Sequence, residues 1–386
     1  MTKRAAIVRL SYYPWDMLVE REARALQSIG FDVDVFCLRA NQPAEGVVDG
    51  IKVHRLPLER KKQGAVRNLF EYLVFFFLSA ASLTIAHLRQ PFSVIQVNTM
   101  PDFLIFATLI PRLLGAKITL QMYEPMPELW ATRFTLHFPI AVLRRIQQWS
   151  IRYAETVLTV TQNLKDNLVA HGADPNKIRV VLNVPDTRLF GDVFPRTRTT
   201  DDDLFTLVCI GAIEGRYGHD TILRAMAWLK TSIPGLRLRV TGDGGYRDEF
   251  LALRQALELQ DQVQYLGFVS RSQLMAELSQ ADVGIVAQKA SPYSNLVHTG
   301  KMYDYLAFGK PVIASRLHAV QSYFDEASMC FFEPDDANDL AQSILGLFLH
   351  PEKRQALVEC SQKLYDQYKW EKQKEIYLST YRRLLD

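Results

Sequence analysis

Apolar residues in this chain fall in short runs, set between longer stretches where they recur every three or four positions. The short runs predict buried parallel strands, and the longer stretches predict helices lying on them. Residues 4–10 form the first such strand; the loop SYYPWD follows, then a helix over Met17–Ile29 that Gly30 closes. Phe31–Leu38, Ile51–Leu56, Phe92–Val97, Lys117–Met122, Thr156–Val160 and Ile178–Leu182 continue the strand series. Helices are expected over Leu104–Leu114 and Gln162–His171. This alternation predicts a doubly wound α/β domain. Residues 191–204 (GDVFPRTRTTDDDL) are polar and aperiodic and contain proline, which suits a linker. The pattern then restarts, with strands over Phe205–Ile210, Leu236–Thr241, Val263–Leu266, Asp282–Val286 and Pro311–Ala314. A helix begins near Asp220, another covers Lys301–Phe308, and the remainder is helical. Two α/β domains are expected, 1–190 and 205–365.

Composition changes this picture little. A chain of 386 residues can bury two cores, and 48% hydrophobic with 23% charged residues is ordinary for globular proteins. A net charge of +3 is too small to imply a nucleic-acid partner. Cys37, Cys209, Cys330 and Cys360 are widely spaced, which suggests reduced thiols rather than a disulfide frame or zinc site. The opening MTKRAAIVRL runs straight into a strand, so no signal peptide is expected and a cytoplasmic protein is.

One stretch stands apart. Tyr72–Ala86 is the most apolar run, yet it is shorter than the roughly 20 residues a spanning helix needs and contains two serines and a threonine. It is not read as a span. Arg60, Lys61, Lys62 and Arg67 precede it, and cations beside an apolar, aromatic helix suit an acidic membrane surface. The alternative is a helix buried against the sheet. His137–Tyr153, with Phe138, Arg144, Arg145, Trp149 and Arg152, is a weaker candidate of the same kind.

Candidate chemistry concentrates in Ser291–Ser315. Lys301 falls in the first turn of its helix and Asp304 lies three residues on, on the same face. A cation and free amides suit a diphosphate, and the carboxylate suits ribose hydroxyls; a capped helix with a solvated ion pair is the competing reading. The loop SYYPWD follows a strand, where such folds bind ligands. Its aromatic residues either stack on an acceptor or cover the domain's rim. Gly242-Asp243-Gly244-Gly245 lacks the third glycine of a dinucleotide fingerprint. No Asp-x-Asp pair is suited to a metal; Asp201–Asp203 lies in the linker.

Lys301, Asp304, Tyr305, Leu306, Ala307, Gly309, Pro311 and Val312 resemble the donor-site segment of the family-4 glycosyltransferases, Lys/Glu-x-x-Glu-(Tyr/Ala)-(Leu/Met)-Ala-x-Gly-x-Pro-Val. The resemblance extends over nearly the whole chain. Asn183, Asp186 and Phe190 are similar to a pattern near the end of that family's first domain. Met126, Pro127 and Glu128 match its His-Asp-x-Met-Pro-Glu motif, with Tyr123 and Glu124 in place of the histidine and aspartate. In the loop Gly211–Gly218, Ala212 and Tyr217 stand where the family has arginine and lysine, and Leu296 where many members have glutamate. Arg216 is one position away, and a subgroup of relatives reads Glu-Arg-Tyr-Gly there.

The resemblance implies a GT-B fold, two Rossmann-like domains facing each other across a cleft, with a C-terminal helix, 366–386, crossing back onto the first. It implies a nucleotide-sugar donor held by Gly211, Arg216, Gly242, Gly244, Gly267, Phe268, Val269, His298, Thr299, Gly300, Lys301 and Asp304. Tyr13, Trp15, Asp16, Asn98 and Glu128 would line the side of a glycan or lipid-linked acceptor. Tyr123, Glu124, Arg216 and Lys301 would carry the chemistry. Sugar transfer with retention is implied, with no cofactor or metal, in polysaccharide or glycoconjugate biosynthesis. A non-catalytic partner or glycan-binding module of the same fold, and a nucleotide-sugar epimerase, are the alternatives weighed.

Overall fold

A computed structural model describes residues 3–60, 64–133, 140–190 and 204–385. The linker expected at 191–204, apart from Leu204, lies outside the described residues, as do Lys61, Lys62, His137 and Phe138. The chain divides into two compact units, Met1–Asn183 with Glu371–Asp386, and Val184–Trp370.

The first unit is built on β1 (Lys3–Val8), β2 (Phe31–Leu38), β3 (Glu45–Val48), β4 (Ile51–Leu56), β5 (Val94–Asn98), β6 (Lys117–Met122), β7 (Thr156–Thr159) and β8 (Ile178–Val180). They form one sheet in the order β3-β4-β2-β1-β5-β6-β7-β8. All neighbours run parallel except β3 and β4, an antiparallel hairpin closed by Asp49-Gly50, both at positive φ. Asp-Gly is a residue pair that suits a type I′ turn. The helices are α1 (Met17–Gln27), α2 (Ala65–Arg89), α3 (Leu109–Leu113), α4 (Met126–Arg133), α5 (Ile140–Tyr153) and α6 (Gln162–Ala170). The chain fills one side of β1 first, then returns to place β5 on the other, so the strand order switches between β1 and β5.

The second unit has β9 (Phe205–Cys209), β10 (Leu236–Thr241), β11 (Val263–Gly267), β12 (Val283–Val286), β13 (Val312–Ser315) and β14 (Cys330–Phe332) in a wholly parallel sheet. Their order, β11-β10-β9-β12-β13-β14, switches between β9 and β12. Its helices are α7 (His219–Leu229), α8 (Arg247–Ala256), α9 (Arg271–Gln280), α10 (Lys301–Ala307), α11 (His318–Gln321), α12 (Ala337–Leu349) and α13 (Pro351–Tyr368). α14 (Trp370–Leu385) belongs to the first unit.

Four expectations are revised. The helix expected over Leu104–Leu114 is a 3-10 segment, Asp102–Thr108, running into the short α3. Pro111 has no N–H to return to the preceding turn, which accounts for the broken geometry. The helix around Tyr72–Ala86 reaches from Ala65 to Arg89, 25 residues. The first unit ends at Asn183 rather than 190, because Phe190 packs against Phe308 (5.6 Å) and Leu189 O accepts from Arg271 (3.4 Å) in the second unit. The terminal helix is two helices that part at Lys369, whose ψ of 156° is not helical. α13 stays with the second unit through Gln362, which donates to Leu306 O, while Gln373 of α14 accepts from Leu182 N (2.9 Å) in the first.

α10 is seated by one tyrosine. The Tyr305 ring lies on Gly284 of β12 so closely that a Cβ there would sit 2.3 Å from the ring carbon Cγ. Its hydroxyl accepts from Ile210 N (3.1 Å), just past β9, and donates to Ile285 O (3.3 Å) of β12. Tyr305 is wholly buried. One side chain therefore fixes α10 across the switch point of the sheet. Gly284→Ala should destabilise the protein by about 2 kcal/mol, the cost of overpacking a filled core. A denaturant midpoint that drops accordingly, with the slope unchanged, is the expected result.

Candidate active site

In the second unit the switch point gathers three glycine-rich loops. Gly211 follows β9 at φ +89°, and a Cβ on it would meet Lys301 Cε at 2.7 Å. A Cβ on Gly242, after β10, would lie 2.0 Å from Gly211 O, and one on Gly244 2.2 Å from Ile213 O. Ile213 N donates to Asp243 O (3.1 Å) and Gly242 N to Gly267 O (2.7 Å). These turns pack backbone against backbone, which only glycine permits.

Two cations converge on one ring above them. Lys301 Nζ sits 3.9 Å from the centroid of Tyr217, and the Arg216 guanidinium carbon 4.7 Å from it. Arg216 also faces Tyr293 (5.8 Å) and reaches Glu214 at 4.0 Å. The π-face of Tyr217 attracts both cations, letting two positive charges share a small space. Tyr217, at the family's lysine position, is thus the platform that gathers Lys301 and Arg216. At the start of the helix, Lys301 N donates to Thr299 Oγ1 (3.3 Å).

The nearby histidines add no charge. Burial, then the Lys301 ammonium, pulls His219 down to about 3, and its Nε2 lies 3.7 Å from Cys209 Sγ. Burial likewise lowers His298 to about 4. Its Nδ1 is 3.1 Å from Ala319 O and its Nε2 3.0 Å from Tyr303 Oη, so both ring nitrogens are occupied. His298, expected to touch the donor, is a buried internal pin. Asp304 is half-buried one turn beyond Lys301, Gly267 turns at φ +66°, and Phe268 is 79% exposed beside the half-buried Val269. Gly300 caps α10.

In the first unit a polar cluster is packed at the carboxyl ends of β1, β5 and β6. The Tyr123 hydroxyl donates to Glu22 of α1, which also accepts from Gln96 (2.7 Å) and Asn98 (3.2 Å) of β5. Burial, then Glu22, holds the Tyr123 phenol far above its ordinary value, so it is a neutral hydrogen-bond donor. Arg9 lies over the Tyr123 ring at 4.2 Å and pairs with Asp16 (3.0 Å). Burial works against its charge, but Asp16, Tyr123, Glu22 and Glu124 raise it further. Burial also raises Glu22, against the pull of Arg21, Tyr123 and Arg9.

The acceptor-side residues are placed unequally. Tyr13 is 2% exposed and belongs to the core, so it offers no stacking face. Asp16 caps α1, accepting from Leu18 N and Val19 N, besides holding Arg9. Asn98 is fully buried in the Glu22 cluster. Glu128 is buried and paired with Arg144 (3.1 Å). Trp15 alone of these is exposed, with Tyr12 at 6.2 Å. Sequence reasoning misses Arg9, Glu22, Gln96 and Asp102; the placing of Arg9 just past β1 and of Gln96 on β5, the two strands that flank the switch, is the signal that could have found those two.

Two parallel-sheet units, each with ligand-side loops at a strand-order switch, define the GT-B class of fold. Solved structures share it. Sucrose-phosphate synthase from Thermosynechococcus elongatus superposes with a TM-score of 0.81 at 18% identity over 99% of both chains. Anabaena HepE in complex with UDP-glucose gives 0.74 at 15% identity, over 98% of this chain and 99% of that one. Residues 18–183 match the family described as glycosyl transferase 4-like domain, and residues 193–364 match glycosyl transferases group 1. The chain belongs to the group 1, or family-4, glycosyltransferases. One phosphatidylinositol N-acetylglucosaminyltransferase chain from Arabidopsis thaliana is 24% identical over 203 residues, 52% of this chain and 43% of that relative. The chain spans about half the length, or less, of the curated relatives it matches.

Asp102 supplies a test of this region. It is fully buried, and burial pushes its carboxyl up to about 8, with Gln147 pulling down and Glu128 pushing up. Its folded value lies above its unfolded one, so its contribution to stability is complete below about pH 4 and is lost as pH rises toward 8. Asp102→Asn should melt with wild type near pH 4 and above it by about 4 °C or more at pH 8. Thermal melts across that range measure the widening gap.

Proposed function

We propose that the protein moves a sugar from a nucleotide-diphosphate donor to a glycan or lipid-linked acceptor, in polysaccharide or glycoconjugate biosynthesis. The observation that carries this reading is the pair of cations, Lys301 and Arg216, held on Tyr217 beside Gly211 at the β9–β12 switch point. Breaking the bond between sugar and diphosphate leaves negative charge on the departing group. Fixed cations at that spot stabilise it without reorganising. Glycine backbones let the nucleotide approach the sheet ends closely.

Retention of configuration and metal independence are part of the proposal. Lys301 and Arg216 supply the charge that the leaving group requires, and no protein nucleophile is assigned. On the acceptor side, exposed Trp15 offers a stacking face. Tyr123 and Glu124 follow β6, with the Tyr123 hydroxyl as a neutral donor. Work in the cytoplasm belongs to the same reading. A second reading, a non-catalytic binding protein of this fold, is favoured by Tyr123: its hydroxyl is committed to Glu22 and Arg9 covers its ring.

Thermal melts with millimolar UDP, GDP, ADP and dTDP separate the two. HepE's complex with UDP-glucose supports trying UDP first. One nucleotide should raise the melting temperature of wild type, by the equivalent of about 2.7 kcal/mol at a hundredfold excess over Kd. Lys301→Ala combined with Arg216→Ala should abolish the rise. Once an acceptor is found, either single change should lower kcat roughly 100-fold or more. If no nucleotide stabilises the folded wild type, the transferase reading fails and the binding-protein reading replaces it.

A further inference from the structure

α2 is amphipathic the wrong way round. Its buried face holds Asn68, Glu71, Tyr72, Phe75, Ser79, Leu83 and His87, so an amide, a carboxyl, a hydroxyl and an imidazole share it with three large apolar side chains. Its exposed face carries Val66, Phe70, Leu73, Phe77, Ile85 and Leu88 at helical spacing, with Phe77 66% and Val66 79% exposed. That stripe runs about 33 Å at 1.5 Å per residue. α3 packs beside α2 and adds exposed Leu109, Leu113 and Leu114. An apolar surface of this extent on a soluble fold marks a docking face.

The charges around it choose the partner. Between residues 64 and 117 there are four cations, Arg67, Arg89, Arg112 and Lys117, and all reach the surface wholly or in part. The same stretch has two carboxylates, Glu71 and Asp102, and both are fully buried. Arg67 pairs with the buried Glu71 (2.8 Å) and Arg112 with the half-buried Glu155 (3.5 Å), so the apolar stripe meets solvent with a net positive margin that Arg89 and Lys117 carry. A second copy of this chain would bring like charges together. A bilayer containing acidic lipids satisfies both features, taking the aromatic and aliphatic side chains among its headgroups and the arginines against phosphate.

We propose that the exposed face of α2 and α3 is a membrane-docking surface that lies in the interface of an anionic bilayer. α2 is long and apolar enough to span a membrane, but the domain holds it lengthwise. Phe75, Ser79 and Leu83 are fully buried, Arg4 donates to Ala86 O (3.4 Å) and Gln90 O, and His87 Nδ1 accepts from Phe92 N (3.1 Å). Crossing would strip these contacts and expose Glu71 to hydrocarbon. The 3-10 segment Asp102–Thr108 joins this face to the end of β5, and its Phe103 packs on Phe76 at 6.0 Å. The docking face thus adjoins the loop after Asn98, which suits an acceptor carried on a lipid and rests, in that respect only, on the transferase reading.

Co-sedimentation with vesicles tests it, without donor or acceptor, so the outcome is independent of catalysis. Wild type should pellet with phosphatidylcholine vesicles containing about 30% phosphatidylglycerol at least 10-fold more than with pure phosphatidylcholine, and roughly 500 mM NaCl should weaken this. The exposed substitutions Phe70→Ser, Phe77→Ser and Leu113→Ser together should reduce binding at least 10-fold while leaving the melting temperature within a degree or two. Arg89→Glu with Lys117→Glu should reduce it without touching the apolar stripe. No binding to anionic vesicles, or unchanged binding by both variants, overturns the proposal. So does a wild-type dimer that the three serine changes dissociate, or protein that resists alkaline carbonate extraction from membranes.

Discussion

The contact between the Tyr305 ring and Gly284 sets the geometry on which the donor side depends. A Cβ at position 284 of β12 would lift α10 away from the sheet. With glycine there, the ring lies flat on the strand and its hydroxyl ties together the backbones leaving β9 and β12. Lys301, one turn earlier on α10, is thereby held over Gly211, and Tyr217 comes within reach of both cations. The electrostatics of the site follow from a packing relation between two uncharged residues.

The first unit is organised differently, around a buried carboxylate. Glu22 is surrounded by donors from β5 and from Tyr123 after β6, and Arg9 and Arg21 lie close enough to favour its charge against burial. Partial satisfaction of such a group would be costly, so the network acts as a unit. It holds Tyr123 and Asn98 rigidly at the strand ends. It also leaves them little freedom to turn toward a ligand.

Much of the architecture is legible because parallel strands buried on both faces announce themselves as continuous apolar runs. β2 (FDVDVFCL), β4 (IKVHRL) and β10 (LRLRVT) show themselves by alternation instead, and their bounds, like those of β6, coincide to the residue with the stretches expected. β3 escapes because EGVV is short and half-exposed, with its signal in the Asp49-Gly50 turn instead. The site is less legible. Lys301, Arg216 and the glycine turns can be marked from local motif, but their meeting on Tyr217 depends on loops brought together by the sheet. Tyr13 and His298 look functional in sequence and are buried in the structure, since residue type says nothing of the direction a side chain takes. Glu22 and Tyr123 are 101 residues apart, and no local pattern links them.

The fold also orders the events of synthesis. Gln96, at the centre of the first unit's sheet, has its side-chain carbonyl capped by the hydroxyls of Tyr377 and Tyr381 of α14. A ribosome making this chain must therefore finish the whole second unit before it supplies the two groups that complete the first. The half that begins earliest is the last to close, and a nascent chain stalled before residue 377 carries an uncapped amide inside an otherwise formed sheet.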